Sequence, residues 1–423
     1  MNNFLKNILK NTLFLSKTLD FFENFLIPGE DYNIIACQSS EVVIKKYPQI
    51  YVDEVKKGIR TYTTSKRILE VLQSSEYDKY LYCKYIWTYQ AYSWTNDLRH
   101  SGKIIFAIDY FLFLKLQNKL SQRKLLIEHS ALLKENGKEI KSNLEDSTAF
   151  LKTKIFPKRE LNYENLANYY DGAFVVCASD TNGGEGVFKV SNKTEYLLAI
   201  NVIETPVIRT ELFLENTIPM NQIAFITHDG QILKYKPSIQ IIRDIHKQNK
   251  MEYAGCDFAC ENYINTPHET LTKISKLTHN IGEILYKIGY RGTFGCDFLV
   301  AVNNIHFIEL NPRYQASTLI PNIHLCENEI LAPHILHILG FVKPSIEHTL
   351  ELERFSQENI YIDFIQKEKP IGFLNIYNEP IKNFRKPISN VKIENDLSKG
   401  YYLFNNSIIV NPFYPTKLNK NIK

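Results

Sequence analysis

The stretch "HFIELNPRYQAST" (residues 306–318) places polar side chains at alternate positions directly after the apolar pair Phe307–Ile308. Glu309, Asn311 and Arg313 are spaced by two, and alternate residues of a β-strand face the same side of a sheet. A strand here would therefore carry a carboxylate, an amide and a guanidinium on one face. Because Pro312 cannot donate a ladder hydrogen bond, we expect the strand to end there, which leaves the direction of Arg313 open.

Asp297 lies twelve residues before Glu309, in a preceding apolar run that also predicts a strand. Pairing residue 301 with residue 305 leaves a three-residue loop and sets Asp297 across from Glu309. A strict two-residue turn at Asn303-Asn304 instead places Asp297 on the opposite face. In the first register the two carboxylates and Asn311 form a set of oxygen ligands suited to Mg²⁺ or Mn²⁺. In the second, the charges belong to a solvated strand end.

Length and composition are those of an ordinary soluble globular protein. The 423 residues fit about two to three domains, with 44% hydrophobic and 23% charged residues. The net charge of +4 is dispersed, and no basic run is interleaved with aromatic residues, so we expect no nucleic-acid partner. The seven cysteines are scattered and include no C-x-x-C, which favours reduced thiols in the cytoplasm over disulfides or a structural zinc.

The first 28 residues carry apolar side chains at roughly helical spacing, which predicts an amphipathic helix packed on the fold. Lys6, Lys10 and Lys17 interrupt the apolar run, which argues against a signal peptide or membrane attachment. No segment approaches the ~20 apolar residues of a membrane-spanning helix. We therefore expect no membrane partner.

The remaining patterns alternate between helix and strand and predict an α/β (α+β) chain. Residues 31–105 predict a small α/β unit, residues 113–137 a helix, and residues 345–423 a strand-rich tail. Between them lie predicted strands at 173–179, 187–190 and 206–214, helices at 193–201 and 266–289, and a hairpin around Asp229-Gly230.

The segments "GYRGTFGCDFLV" (289–300) and "IHFIELNPRYQAS" (305–317) together resemble the C-terminal half of an ATP-grasp domain. Members of that superfamily carry an acidic residue on one strand and Glu-x-Asn on the next, which bind Mg²⁺ with ATP. The resemblance covers about residues 105–340. It implies an ATP-grasp fold with an N-terminal α/β pre-ATP-grasp domain (1–105), an ATP-grasp domain (106–344) with a lid subdomain at about 150–205, and a C-terminal strand-rich segment (345–423).

Two further segments resemble the phosphate-binding parts of the superfamily. In "LQNKLSQRKLL" (116–126), Lys119 occupies the place of a lysine that reaches the ATP phosphates, although alone it would be an ordinary exposed helix lysine. "VVCASDTNGGEGVFKV" (175–190) resembles the lid hairpin, where Gly183, Gly184 and Gly186 would let backbone N–H groups approach the triphosphate.

A third segment, "TELFLEN" (210–216), resembles the adenine hinge, in which Glu211 and the backbone near Leu214 would hold the base. Without its neighbours it fits an ordinary edge strand equally well. One position departs from the superfamily, because Cys177 stands where the lid strand commonly carries a lysine. Lys189 or Arg209 could supply the missing charge, and the departure also leaves open a degenerate copy that binds nucleotide without turnover.

The resemblance implies an ATP-dependent carboxylate–amine ligase that works through an acyl phosphate, with small-molecule carboxylate and amine substrates. Arg313 would hold the acyl-phosphate oxygens or a substrate carboxylate. In "YKPSIQIIRD" (235–244), Ser238, Gln240 and Arg243 could read the polar ends of the substrate, or could simply form an exposed hairpin face. A carboxylase resembling biotin carboxylase is the alternative enzyme, and a homodimer is compatible with either.

Overall fold

The structure is a computed structural model that describes residues 3–18, 31–56, 65–130, 134–135, 138–139, 150–178, 186–245, 250–264, 266–301, 304–326, 331–356, 361–364, 369–375 and 401–404. Residues up to 106 form a five-stranded parallel sheet in the order β3-β2-β1-β4-β5. Its strands are β1 (Thr12–Thr18), β2 (Asn33–Ser40), β3 (Tyr51–Lys56), β4 (Tyr85–Thr88) and β5 (Ile104–Phe106). The helices are α1 (Asn3–Lys10), α2 (Glu41–Lys46), α3 (Ser65–Leu72), α4 (Ser75–Asp78) and α5 (Ser93–His100). This confirms the predicted α/β unit.

The long N-terminal helix predicted from spacing is wrong beyond Lys10. The helix ends there, and Thr12 begins the central strand β1, with its hydroxyl donating to the Ile8 carbonyl at 2.7 Å. Leu13, Phe14 and Leu15 are all buried, because a central parallel strand is covered on both faces. A continuous apolar run of this kind cannot be told from a buried helix by periodicity.

The single helix predicted over 113–137 is two helices, α6 (Tyr110–Gln117) and α7 (Lys119–Ser130), separated by Asn118. The Asn118 backbone is extended, and its side-chain oxygen accepts hydrogen bonds from the amides of Leu120 and Ser121 at 3.0 Å. Asn118 therefore caps α7 and places Lys119 in its first turn. A two-residue pair of strands follows, β6 (Lys134–Glu135) and β7 (Lys138–Glu139).

A second sheet of twelve strands occupies the rest of the described chain, with the main path β17-β16-β12-β14-β15-β10-β9-β11-β8. Its first members are β8 (Thr153–Pro157), β9 (Phe174–Ala178), β10 (Val187–Val190), β11 (Val207–Leu212), β12 (Ile218–Ile226), β13 (Ile232–Lys234), β14 (Ser238–Ile245) and β15 (Lys250–Asp257). The others are β16 (Gly292–Val300), β17 (Ile305–Asn311), β18 (Gly372–Asn375) and β19 (Tyr401–Phe404). The predicted strands, and the hairpin at Asp229-Gly230, are confirmed.

The helices on this sheet are α8 (Tyr163–Tyr170), α9 (Lys193–Val202), α10 (Pro267–Lys287), α11 (Leu319–Leu325), α12 (Pro333–Leu339) and α13 (Ile346–Ser356). The predicted helices at 193–201 and 266–289 are confirmed, whereas the tail predicted to be strand-rich begins with α13. Among the described residues, no helix combines the length and the apolar character that crossing a membrane requires.

Residues 150–208 contain their own apolar cluster, which packs one face of strands β9, β10 and β11 against α8 and α9. Side chains on that face include Phe174, Val176 and Ile208, and all three are buried. The opposite face of the same strands carries the row Val187–Cys177–Arg209–Ile155, whose members pair directly across neighbouring strands. This second face borders helix α7.

The β16–β17 hairpin brings Asp297 directly across from Glu309, as the first of the two registers predicts. The predicted pairing of residue 301 with residue 305 is wrong, however, because Ile305 pairs with Val300. A β-bulge next to Asp297 adds one residue to β17 and shifts the register by one. The bulge returns Glu309 to the face of Asp297, which the loop alone would not have done.

Candidate active site

A row of four polar side chains runs across four neighbouring strands of the second sheet. Ser238 of β14 pairs with Asn221 of β12, Asn221 pairs with Asp297 of β16, and Asp297 pairs with Glu309 of β17. Residues that pair directly share a face, with Cβ atoms about 4.5–5.5 Å apart. Asp297 is 9% exposed. Burial and the neighbouring Glu309 carboxylate raise the pKa of Asp297 to about 7.

Lys119 supplies the charge that keeps Glu309 ionised. Its ammonium lies 2.5 Å from the Glu309 carboxylate, and the two side chains are only 10% and 18% exposed. Although burial opposes ionisation, Lys119 and the guanidinium groups of Arg209 and Arg313 hold the pKa of Glu309 below its ordinary value. Helix α7 is fixed against β17, because the Leu310 amide donates to the side chain of Gln122 at 2.5 Å.

Amide side chains hold Asp297 in place. Asn221 donates to one Asp297 oxygen at 2.6 Å, Asn311 donates to the other at 3.0 Å, and Gln240 adds a further hydrogen bond. Asn221 also donates to Gln315 at 2.9 Å. Gln315 comes so close to Gly295 that a Cβ there would meet its amide at 1.5 Å. Only glycine therefore allows this contact.

The orientation of Asn311 differs from that predicted for a metal ligand, because its amide nitrogen faces Asp297 while its oxygen accepts from Arg313 at 3.3 Å. Among the described residues, no group of three or more His, Cys, Asp or Glu side chains could hold a metal ion. The carboxylates that face each other here are those of Asp297 and Glu309. Turning the Asn311 amide about its last bond would add its oxygen to them.

Arg313 leaves the strand and turns toward the N-terminal sheet. Strand β17 ends at Asn311, one residue before Pro312, as predicted. The Arg313 guanidinium donates to the Tyr89 hydroxyl at 2.9 Å, and the next amide, of Tyr314, donates to the Tyr89 carbonyl at 3.2 Å. Arg313 therefore stands between the Asp297–Glu309 pair and the loop that follows β4.

A cleft of about 300 Å³ lies beside Lys119, between α7 and strands β8 and β11. Its lining includes three more cationic side chains, Arg123, Lys124 and Arg209, against one acidic side chain, Glu128. Deeper in the structure, Glu211 is approached by Arg209 at 3.4 Å and by Arg123 at 3.6 Å. Thr153 also donates to Glu211, at 3.2 Å. The cleft thus carries an excess of positive charge, which suits an anionic ligand.

The structure brings only part of the predicted set to this cleft. Gly183 and Gly184 lie outside the described residues, whereas Gly186 forms a turn with φ +74° before β10. Leu214 is half-buried two residues beyond β11, and its carbonyl accepts from Thr217 at 3.4 Å. Ser238 is buried in the polar row, and Gln240 reaches Asp297. The Arg243 side chain lies outside the described part of the structure, although its backbone belongs to β14.

Several residues in contact with the predicted set escaped the sequence reasoning, namely Tyr89, Gln122, Arg123, Thr153, Asn221 and Gln315. Gln122 and Arg123 follow Lys119 on the same helix, so their spacing could have indicated them. Asn221 and Thr153 gave no such signal, because their places depend on pairing between strands that are distant in sequence. Tyr89 comes from the N-terminal sheet and carries no local motif.

Comparisons with known proteins agree with this architecture. The ATP-grasp domain family matches residues 147–317 by sequence. Comparison with curated proteins gives no match. Among solved structures, N5-carboxyaminoimidazole synthetase from Staphylococcus aureus complexed with ADP is similar, with a TM-score of 0.54, 15% identity and coverage of 86% of this chain and 82% of that chain.

Two biotin carboxylase structures are also similar. The Campylobacter jejuni enzyme, in a complex with β,γ-ATP, has a TM-score of 0.56 and 14% identity, over 81% of this chain and 74% of that chain. The biotin carboxylase domain dimer of Hydrogenobacter thermophilus 2-oxoglutarate carboxylase, with MgADP and bicarbonate, has a TM-score of 0.53 and 12% identity, over 80% and 72%. The chain therefore has the ATP-grasp fold, and its residues 147–317 match the ATP-grasp domain family by sequence.

Proposed function

We propose that this chain is an ATP-dependent carboxylate–amine ligase that forms an amide through an acyl phosphate. One observation carries the proposal: the half-buried Lys119–Glu309 pair, at 2.5 Å, joins a facing pair of carboxylates to a cleft with excess positive charge. A polyphosphate that carries a divalent cation would neutralise both charges. The cation would pair with the two carboxylates, and the phosphates would pair with the positive charge of the cleft. The similar structures that are complexed with ADP, ATP or MgADP support the same ligand.

The residues present fit Mg²⁺ or Mn²⁺. Asp297 is buried beside another carboxylate, which raises its pKa to about 7, and a bound cation removes that cost. Hard carboxylate oxygens with few protein ligands are typical of magnesium sites that phosphates complete. Asp297 and Glu309 would hold the ion, with Asn311 as a third ligand after rotation of its amide. When bound, the ion neutralises charge on the transferring phosphoryl group.

The basic cleft would bind the nucleotide. We propose that Lys119 and the lid glycines Gly183, Gly184 and Gly186 hold the phosphates, and that Glu211 and the backbone near Leu214 hold the adenine. The Lys119 ammonium sits beside the proposed metal ligand Glu309, so it lies where the terminal phosphates would meet the cation. Closure of the lid over residues 150–205 would exclude water from the reacting groups.

Arg313 would orient the carboxylate substrate. Its guanidinium is held by Tyr89 and Asn311 and can bind two carboxylate oxygens at once. The carboxylate oxygen attacks the γ-phosphorus, the bond to the bridging oxygen breaks, and ADP leaves. The neutral amine then attacks the acyl carbon, phosphate leaves, and the nitrogen loses a proton. Positioning and charge neutralisation are the main contributions in such phosphoryl transfers.

Few contacts are assigned to the part of the substrate away from its reacting carboxylate. Ser238 and Arg243 are proposed to contact it, whereas Gln240 is engaged by Asp297 and would act on the substrate only through that carboxylate. One similar structure is a domain dimer, so a homodimer is the assembly that we expect here. Sedimentation of the purified protein tests it.

Trapping with hydroxylamine tests the ligase directly, because it replaces the unknown amine. Purified protein is incubated with Mg-ATP, hydroxylamine and a panel of carboxylates, and hydroxamate and ADP are both measured. We expect equimolar hydroxamate and ADP with at least one carboxylate, and none with Glu309→Gln. Glu164→Gln is the matched control, because Glu164 is an exposed carboxylate that pairs with Lys193, between helices α8 and α9.

A carboxylase is the second candidate, because similar structures are named as biotin carboxylases and one contains bicarbonate. ADP release that requires bicarbonate but gives no hydroxamate with any carboxylate would favour it over the ligase. Tight ATP binding with no ADP release under either condition would instead identify a nucleotide-binding protein without turnover, which the missing lysine at Cys177 would then explain.

A further inference from the structure

Arg209 is a buried cation at the wall of the basic cleft. It lies in β11, directly across from Cys177 of β9 on one side and Ile155 of β8 on the other. It is 4% exposed, yet it lines the cleft together with Lys119 and Arg123. The side chain therefore extends from the face of the sheet to the cavity.

The protein leaves this guanidinium incompletely paired. Its nearest carboxylate, Glu211, lies 3.4 Å away and is shared with Arg123. The Arg209 Nε is buried and has no hydrogen-bond partner in the described part of the structure. Two guanidinium groups on one carboxylate leave a positive charge in excess, and a buried donor without a partner costs free energy. An anion inside the cleft would supply this partner.

We propose that Arg209 binds the phosphate chain of the nucleotide and supplies the positive charge that Cys177 cannot supply. The inference rests on the proposed function, since it assigns a residue to its ATP site. Burial raises the pKa of the Cys177 thiol, so that side chain stays neutral. Arg209 pairs with Cys177 on the same sheet face, and a long side chain from either position can reach the same part of the cleft.

Lys189 is the other candidate cation on this sheet face, and its contacts argue against it. It pairs with Val175, which in turn pairs with Glu211, so Lys189 stands two strands away from the strand of Arg209. Its ammonium lies 4.2 Å from the centre of the Phe213 ring, where a cation–π contact satisfies it. Arg209, by contrast, has an unpaired donor and lines the cavity.

Nucleotide binding separates phosphate recognition from general loss of structure. Affinities for ATP, ADP and adenosine are measured by calorimetry for the wild type, Arg209→Gln and Lys189→Gln, with Arg159→Gln as the matched control. Arg159 is an exposed arginine paired with Glu160. We expect Arg209→Gln to weaken ATP and ADP by about 10- to 100-fold and to leave adenosine unchanged, because a charge-assisted hydrogen bond to phosphate is lost. The affinities of Lys189→Gln and Arg159→Gln for all three ligands should stay within about 3-fold of the wild type.

A rescue variant guards against misfolding. We expect the double variant Cys177→Lys, Arg209→Gln to recover ATP affinity to within about 10-fold of the wild type, since the new ammonium replaces the lost guanidinium across the strand pair. Equal losses for adenosine and ATP, or unchanged ATP binding in Arg209→Gln, would overturn the assignment. So would a larger effect of Lys189→Gln. If the wild type binds no nucleotide at all, the proposed function fails first.

Discussion

The candidate site has an acidic end, formed by Asp297 and Glu309, and a basic end, formed by Arg123, Arg209 and Glu211, and the two ends differ in how their charges are compensated. At the acidic end, Asp297 and Glu309 face each other across the β16–β17 hairpin, and among the described residues Lys119 alone forms an ion pair with them, through Glu309. At the basic end, Arg123 and Arg209 share the single carboxylate of Glu211. One end therefore holds more negative charge than its partners neutralise, and the other holds more positive charge.

This difference indicates a ligand whose own charges are separated. A free anion would satisfy the basic end and worsen the acidic one, and a free cation would do the reverse. A polyphosphate bound to a divalent cation meets both requirements at once. The comparison also predicts that substitutions at the acidic end act on turnover and on the response to pH, whereas those at the basic end act on stability and on nucleotide affinity.

The largest effect is expected for Glu309→Gln. The substitution removes a carboxylate from the proposed metal site and the partner of Lys119, so we expect kcat to fall by about 1,000-fold or more. Steady-state ADP release with the carboxylate found by hydroxamate trapping measures the loss. Activity within 10-fold of the wild type, while Glu164→Gln is unchanged, would show that the acidic end is not the metal site.

At the basic end, Glu211→Gln should mainly lower stability. It removes the carboxylate that the buried Arg209 shares with the partly buried Arg123, and breaking a buried ion pair costs about 3 kcal/mol. Urea denaturation followed by circular dichroism measures the change in the free energy of unfolding. A loss below about 1 kcal/mol would mean that Arg123 and Arg209 find other partners, and that the basic end lacks the excess charge argued for it.

The acidic end could be predicted from the sequence more fully than the basic end. The acidic end was accessible because Asp297, Glu309 and Asn311 lie within fifteen residues on one hairpin, where alternation fixes the face. Even there, the predicted pairing at the loop was wrong, and a β-bulge is what places Asp297 across from Glu309. At the basic end, Glu211 and Arg209 were candidates only through the resemblance, and Arg123 and Thr153 were missed, because these four residues come from three elements that meet only through non-local pairing. Strand β1 was also missed. Its apolar residues fit helical spacing, and a strand buried on both faces shows no alternation of apolar and polar residues.

The pH response sharpens the comparison at Asp297. Its pKa is about 7 in the folded chain and about 4 when unfolded, so between these values the folded state holds the extra proton. Without metal, the free energy of unfolding should therefore fall as pH rises from 5 to 8, on the order of 2 kcal/mol from this group. The pKa of Glu309 is shifted in the opposite direction, because Lys119 opposes the effect of burial there.

Asp297→Asn should remove that fall, and Mg²⁺ should reverse it in the wild type by pairing the carboxylates. Chemical denaturation at pH 5 and pH 8, with chelator and then with Mg²⁺, measures both effects in the two proteins. The same pH slope in wild type and variant would contradict the raised pKa. A slope that Mg²⁺ does not change would contradict the metal site.

The smallest effect is expected outside the charged ends, at Tyr89. Its hydroxyl accepts from Arg313 at 2.9 Å, so Tyr89→Phe leaves that guanidinium less firmly directed. Losing one such hydrogen bond costs about 1 kcal/mol, so the KM for the carboxylate should rise about 3- to 10-fold with kcat nearly unchanged.

Tyr82→Phe is the matched control, because the Tyr82 hydroxyl bonds to Asn33 in an exposed position. A fall in kcat with constant KM would place Arg313 on the transferring phosphoryl group and not on the incoming carboxylate. Arg313 would then belong to the phosphate-binding part of the cleft, and the carboxylate would need another partner.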